Sequence, residues 1–499
     1  MYLLAIDLGT TSVKAALFNE STEIIASAHE RANTKIDAGG ISSQEADEWL
    51  SITIRNCAVL KSKHPEAFSE VGAIAVTGHM MGCLPVDKNG HPLAEHMLHS
   101  DTRARSEVSQ IEKIVGSDSI YQLTGNILAG TSVLAKMMWL KRNRPEVYQD
   151  TYCFLNSKDY ITGFLTGQYN ISDYSDASHA GIIDIHQRIY PEQLYNALGL
   201  DIGKMPELKA GTDMIGELTK KAAELLGLKS GIPVMAGAGD GACSAIGAGA
   251  GLPGDTYCCM GTTAWIAAIS DRPVLDHLQR SYNIITADAQ AVGSYGTIQN
   301  CGRSTDFAQK FFSVEKMQEF DQLAAKAPAG SDDLIFLPYI DGERAPIFNP
   351  DTQGVFFGLS SRHSREHGLR AVLEGVAYAI KHNADVHREN GLNVDKVSLI
   401  GGGGRSEIWR LILASVIPAD IVRVDVPSED ATTLGAAIVA GTGIGLFSSI
   451  QDGMSRIKEI EKTAPIPEWK SKYTELFTIY KDLYPSLSKS FAKLSGCAK

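Results

Sequence analysis

Two copies of one short string, half a chain apart, constrain this sequence more than anything else in it. Residues 2–6 (YLLAI) are a short apolar run that predicts a buried strand. Asp7 ends it, residues 8–12 turn, and residues 13–18 return as a second strand. The pattern recurs with residues 255–260 as a strand, Gly261-Thr262-Thr263 as the tip and residues 264–269 as the return. Both copies read G-T-T-x-x-x-A-A. Gly9, Thr10, Thr11, Ala15 and Ala16 are answered by Gly261, Thr262, Thr263, Ala267 and Ala268, an offset of 261 − 9 = 252 in 499 residues. Self-similarity at that spacing predicts a duplicated α/β unit. The expected halves are residues 1–248 and 249–499, with a cleft between them.

The tip chemistry follows from the residue types. Glycine lets a backbone approach phosphate closely, neighbouring N–H groups can point at its oxygens, and Thr hydroxyls add neutral donors. Charge matters here: 46 Lys+Arg against 58 Asp+Glu leave 46 − 58 = −12. That balance argues against nucleic-acid and anionic-membrane partners, which need a basic surface. A polyanion handled by this chain must be held by local dipoles and a metal.

A second carboxylate stands in residues 232–242, IPVMAGAGDGA. Residues 234–236 end a strand, Gly237, Gly239 and Gly241 alternate around Asp240, and residues 242–250 predict a small-residue helix. Two carboxylates in a phosphate-binding cleft divide the labour. Asp7 is assigned to Mg²⁺, held through water, and Asp240 to the base that accepts a proton from an attacking hydroxyl; both carboxylates belong to the expected metal set.

A third glycine cluster follows a strand at residues 396–400. Gly401, Gly402, Gly403 and Gly404, then Arg405 and Ser406, precede a helix over residues 407–416. Strand, glycine turn and helix N-terminus suit an anion or a flat ring lying on bare backbone. Ser406 is an N-cap candidate. Four glycines exceed what a cap needs.

Other patterns carry less. Gly249-x-Gly251-x-x-Gly254 follows a helix and precedes a strand, the reverse of a dinucleotide fingerprint. No G-x-x-x-x-G-K-[ST] occurs. His363-Ser364-Arg365-Glu366-His367 matches H-x-x-E-H but reads as the solvated first turn of a helix reaching about residue 379. Residues 467–493 read as a lysine-rich, solvated surface helix pair. The eight scattered cysteines include no C-x-x-C, so no disulfide framework is expected. With no basic leader and no apolar run of ~18 residues, the expectation is a cytoplasmic protein.

The order Asp-Gly-Thr-Thr hairpin, Gly-Asp-Gly turn, Gly-Thr-Thr hairpin, Gly-Gly-Gly-x-x-Ser loop resembles the FGGY family of carbohydrate kinases, of the actin-like, ribonuclease-H-fold ATPase superfamily. The likeness runs from about residue 2 to 445. It takes in Lys136-Met137-Met138-Trp139-Leu140, Lys158-Asp159-Tyr160, Asp176-Ala177-Ser178, Gly342-Glu343-Arg344-Ala345-Pro346, Leu373-Glu374-Gly375 and Gly435-Ala436-Ala437. It implies two ribonuclease H-like domains around a central cleft and ATP and Mg²⁺ as cofactors. It further implies Asp240 as catalytic base, Asp7 at the metal, and both tips with Lys14 at the ATP phosphates. Adenosine falls on the Gly401 to Gly404 loop, with Ser406 and Trp409 nearby. Gly368 replaces the family's usual leucine, a local packing change.

The acceptor side departs from the pattern. Xylulose kinases resemble Gly-Gln-Met-His-Gly where this chain has Gly78-His79-Met80-Met81-Gly82, and Trp-Asn-Asp where it has His99-Ser100-Asp101. The Arg-Glu pair of glycerol kinases is missing. His79, Met80, Met81, Asp101, Arg103 and Asp240 form the expected acceptor set. Methionines pack against a carbon-rich face and do not grip several hydroxyls; they pack equally well in a core. The expected acceptor is a ketose, deoxy-ketose or polyol of five or six carbons. A sugar-binding regulator or a nucleotide-driven conformational ATPase is the alternative. Asp240 argues against the first and the acceptor-side motifs against the second. Self-association as a homodimer stays open.

Overall fold

The computed structural model describes residues 1–497. The strands of its two large sheets are β1 (Tyr2–Leu8), β2 (Ser12–Asn19), β3 (Ile24–Arg31), β4 (Val71–Gly78), β5 (Met214–Glu217), β6 (Pro233–Met235), β7 (Ala238–Gly239), β8 (Thr256–Met260), β9 (Ala264–Ser270), β10 (Tyr282–Ile285), β11 (Val292–Ile298), β12 (Lys396–Ile400), β13 (Asp420–Val424) and β14 (Glu459–Thr463). They build two seven-stranded sheets. The first runs β5-β6-β4-β1-β2-β3, with β7 also on β4; the second runs β10-β11-β9-β8-β12-β13-β14.

The duplication extends from hairpin to sheet. In each, three antiparallel strands (β1, β2, β3; β8, β9, β11) present their first member to a parallel strand (β4; β12). A second parallel strand (β6; β13) and an antiparallel closing strand (β5; β14) follow. This is the ribonuclease H-like topology, made twice. The tips differ by one residue. Leu8 pairs with Val13, leaving four residues in the first turn, and Met260 pairs with Ala264, leaving three in the second.

Side-chain alternation decides what covers each face. Leu4, Ile6, Ile74 and Val76 point outward into a large-residue core, while Leu3, Ala5, Ala73 and Ala75 point inward. Small inner residues let helices come close. The helices used below are α1 (Val133–Asn143), α2 (Ser157–Thr166), α3 (Tyr174–His179), α4 (Asp240–Gly247), α5 (Arg365–Glu389), α6 (Glu407–Val416), α7 (Ala431–Gly443) and α8 (Lys470–Cys497). From the second half of the chain, α7 packs its Leu434, Ala436 and Ala437 on the inner face of the first sheet. From the first half, α4 turns Ala245 toward Tyr257, Ala267, Ile284 and Tyr295 of the second sheet. The two helices cross at glycine. A Cβ on Gly247 would lie 1.8 Å from the Ala431 carbonyl oxygen, and one on Gly435 would lie 1.9 Å from that of Cys243.

Several expectations need correction. Asp240 is the first residue of α4, which ends at Gly247, so the base candidate sits on a helix N-terminus rather than in a glycine turn. The helix after His363 reaches Glu389, because apolar periodicity continues past residue 379. The expected C-terminal helix pair is one helix, α8, with Pro485 inside it. It is not a solvated element: Tyr473, Leu476, Phe477 and Tyr480 are buried in the second core. The change at Gly368 has a cause, since a Cβ there would stand 2.3 Å from the Phe312 ring. His363 and His367 bond with the Asp332 carbonyl and carboxylate, as a helix start does. Among the described residues no group of three His, Cys, Asp or Glu is placed to hold a metal, and no helix is long and apolar enough to cross a membrane. Seven cysteines are free; the side chain of Cys497 lies outside the described residues.

Candidate active site

The carboxyl ends of parallel strands are where open α/β sheets bind ligands. In the first sheet β1, β4 and β7 are adjacent and parallel, with Asp7, Thr77 and Ala238 in register and Leu8, Gly78 and Gly239 one step beyond. Asp7, His79 and Asp240 therefore leave one sheet edge side by side. Two strand spacings, about 10 Å, separate β1 from β7.

Both carboxylates are half-buried and carry abnormal proton affinity. Burial, reinforced by the charge of Asp240 and opposed by Lys14, lifts Asp7 from 3.8 to about 7. Burial lifts Asp240 to about 6, opposed by the Gly241 N–H. Two anions held this way lack a cation. Oxygen-only donors with room for water suit Mg²⁺, which keeps several of its waters.

That electrostatic conflict has a measurable cost. Asp7 binds its proton more tightly in the native protein than in the unfolded chain. Its penalty on stability is therefore absent below about pH 4, grows as pH rises, and is full above about pH 7. Asp7→Asn should stabilise the nucleotide-free protein in EDTA at pH 8, by up to about 4 kcal/mol, and leave it unchanged near pH 4. Urea unfolding at both pH values reads this, and equal midpoints at pH 8 would mean that Asp7 is well solvated.

The nucleotide-side candidates gather on the second sheet's matching edge. Cys259 and Ile400 are in register on β8 and β12, so the Gly261-Thr262-Thr263 tip and the glycine loop emerge together. Gly401 has φ +94°, and a Cβ on it would lie 2.5 Å from the Met260 carbonyl oxygen, so only glycine fits. Gly402 faces open space; Gly403 lies on Met260 and Trp409. The Ser406 hydroxyl accepts from the Trp409 N–H at 3.2 Å, making it the N-cap of α6. Trp409 is buried and donates its indole N–H to the Leu373 carbonyl, so it floors the loop and does not line it. At the first tip Gly9 and Thr10 are half-buried and Thr11 is exposed. Lys14, opposite Asp7 on β2, is already engaged: it pairs with Asp430 and donates to the Glu429 carbonyl at 2.6 Å.

On the acceptor side the structure separates what the sequence grouped. His79 donates its backbone N–H to Leu8, but its ring is turned under the loop against Trp49 and His96, with both nitrogens unpartnered. Burial drives it well below 6.5, so it is neutral. Met80 is buried beneath Gly239. Met81 is half-buried at φ +61°. Asp101 is fully buried, and Arg103 grips it through Nε (2.9 Å) and Nη2 (2.6 Å).

Other groups border this space. His179, at the end of α3, stacks on Tyr282 (4.9 Å, 6°) and lies 3.4 Å from the Met80 sulfur. Burial takes His99 to about 4 and His179 to about 3, and the charge of Arg344 adds to both shifts. Tyr282 lies within electrostatic reach of both Arg344 and Asp240. Arg344 is exposed and makes no ion pair among the described residues. The second half also grips the start of α4: the Tyr257 and Tyr295 hydroxyls donate to the Gly241 carbonyl at 2.8 and 3.3 Å, and the Trp265 indole donates to Tyr257. Sequence reasoning missed His179, Tyr282 and Arg344. Arg344 lies inside a quoted motif and His179 directly follows one, so the signal marked the place without the direction.

The family description "FGGY family of carbohydrate kinases, N-terminal domain" matches residues 2–247, and its C-terminal counterpart matches residues 256–444. The xylulose kinase of Bacillus subtilis is 29% identical over 97% of this chain and 96% of its own. A gluconokinase of Bacillus licheniformis is 28% identical over 99% and 98%. A ligand-bound xylulose kinase structure from Lactobacillus acidophilus superposes with a TM-score of 0.93, at 25% identity over 99% of each chain.

Proposed function

Because the chain belongs to the FGGY family of carbohydrate kinases and is an ATP-dependent sugar kinase, a phosphotransferase with an alcohol acceptor, we propose that its acceptor is a five- or six-carbon ketose, deoxy-ketose or polyol. The observation that carries the site assignment is the pair Asp7 and Asp240 at one sheet edge, opposite the Gly-Thr-Thr tip and glycine loop of the other half.

Asp240 accepts the proton of a sugar hydroxyl. Its affinity near 6 leaves it a carboxylate at neutral pH and still basic enough to receive that proton. The freed oxygen attacks the γ-phosphorus in line. The N–H groups and hydroxyls at Gly9, Thr10, Thr11, Gly261, Thr262 and Thr263 offset the charge on the phosphoryl oxygens. Asp7 and Asp240 would hold Mg²⁺, which supplies further charge neutralisation. Adenosine rests on the Gly401 to Gly404 loop above Trp409. The acceptor lies among Met81, Arg103, His99, His179 and Tyr282, with few groups able to grip several hydroxyls. The halves, residues 1–248 and 249–499, close over both substrates and exclude water, which otherwise competes as acceptor.

ADP release with MgATP tests the acceptor class. The panel is D-xylulose, D-ribulose, 1-deoxy-D-xylulose, xylitol, D-gluconate and glycerol. A ketose, deoxy-ketose or polyol of five or six carbons is expected to raise ADP release at least ~10²-fold over the sugar-free rate, and glycerol is not. Stimulation by D-gluconate alone would replace the class with a sugar acid. ATP turnover indifferent to every sugar would favour a conformational ATPase.

A further inference from the structure

Two lysines of the first half are wholly buried, and they are held in opposite ways. Lys158 faces three carboxylates, Asp159, Asp173 and Asp176. Lys136, on α1, has no carboxylate within 4.0 Å among the described residues. Its ammonium instead donates to two backbone carbonyls, Met81 at 2.7 Å and Leu98 at 2.7 Å. Burying an ammonium without a counter-ion is costly, and a hydrophobic side chain would fill the same volume more cheaply. The cost points to a task that only a cationic donor performs.

The two carbonyls identify the task. Met81 ends the loop that carries His79 and Met80, and its φ of +61° is one that a side-chain-bearing residue adopts only when held there. Leu98 opens the turn that carries His99, Asp101 and Arg103, and its carbonyl also accepts the Asp101 N–H at 3.0 Å. Nothing else described bonds the Met81 carbonyl; a backbone bridge between Cys83 and Met97 joins the two segments on one side of residues 81 and 98, and α1 reaches both carbonyls beyond that bridge. We propose that Lys136 is a positioning residue of the acceptor site, clamping the loop at Met81 to the turn at Leu98 so that both present their side chains to the sugar in fixed register. The proposal rests on reading that face as the acceptor site.

The electrostatics fit. Burial lowers Lys136 to about 8, with Cys83 and Asp101 opposing and Arg103 adding to the shift, so the ammonium is the main form at neutral pH. Each carbonyl then receives a charge-assisted bond, roughly twice as strong as a neutral one.

Lys136→Met tests the clamp in two independent ways. Hydrogen–deuterium exchange on the sugar-free, nucleotide-free protein should show amides of residues 79–82 and 98–103 exchanging at least tenfold faster, with residues 2–8 and 240–247 unchanged. Steady-state kinetics with the fastest acceptor of the panel should show acceptor KM raised at least tenfold and ATP KM within twofold of the parent. Unchanged exchange in both loops would overturn the clamp, whatever the protein phosphorylates. Loosened loops with an unchanged acceptor KM, or with ATP KM rising equally, would overturn its role in the acceptor site. If the methionine variant does not fold, Lys136→Leu, which likewise has no donor for either carbonyl, is read against the same outcomes.

Discussion

Asp240→Asn lowers kcat by about 10²–10⁴-fold, the range expected when a general base is removed. ATP KM should stay within a few-fold of the parent, because the nucleotide-side groups come from β1, β8, β12 and their turns. The amide fills the same volume and keeps the Gly241 N–H in reach, but it cannot take a proton from a hydroxyl at neutral pH. The start of α4 is also fixed independently of the carboxylate: the Gly239 N–H donates to the Ser175 hydroxyl at 2.9 Å, and Tyr257 and Tyr295 hold Gly241 from the other half. The variant should therefore fold and still bind nucleotide, with Asp7 left as the carboxylate for Mg²⁺, and lose chiefly the chemical step. Turnover near the parental rate, measured by coupled ADP release, would remove Asp240 from the base role.

Lys158→Met destabilises the protein by about 3–5 kcal/mol, the cost of stripping the partner from buried charge. Burial alone would lower the proton affinity of Lys158. The carboxylates of Asp159, Asp173 and Asp176 outweigh it and hold the lysine well above its ordinary range. Without the ammonium three carboxyl groups face one another in the core, where burial already raises Asp159 and Asp176. The loss should therefore be largest at pH 8 and shrink toward pH 5, as protonation relieves the repulsion. It should also reach the site. Ser175 carries Gly239 and donates to Asp173, and Asn156 bridges Asp176 to the His79 carbonyl. Urea midpoints across pH test this. A midpoint shift equal at pH 5 and pH 8 would mean that the network does not store charge.

The parts of this molecule legible from the chain are those written in short-range chemistry. The Gly-Thr-Thr tips announce themselves because a tight turn suited to phosphate, as proposed for them, needs small residues and hydroxyls together. Their repetition exposes the duplication that the two sheets carry through strand by strand. The strand, glycine turn and capped helix at Ser406 are equally local. What stayed hidden depends on direction or distance. Nothing near Lys14 reveals that Asp430, more than 400 residues away, takes its charge. Asp101 and Arg103 read as two substrate contacts, and they satisfy each other. Met80 is apolar whether it lines a pocket or seals the floor beneath Gly239. Arg344 and Tyr282 come near His179 and Asp240 only once the second half is folded against the first. The C-terminal segment looked solvated because its lysines are visible in sequence and the aromatic stripe of Tyr473, Phe477 and Tyr480 needs the second core to give it a partner.

The crossing of α4 and α7 bears on how such a chain can come apart. Each sheet borrows its inner cover from the other half of the polypeptide, α7 for the first and α4 for the second. A cut between residues 248 and 249 would take from each sheet the helix that the other half supplies. The first would bare the alanine-rich face built from Ala5, Ala73 and Ala75, and the second would lose the helix seated on Tyr257 and Tyr295. The two fragments together hold every missing piece, so they should complement one another when co-expressed, as an exchanged dimer does. During synthesis the inner face of the first sheet gains its α7 cover only after Leu434 and its neighbours have left the ribosome.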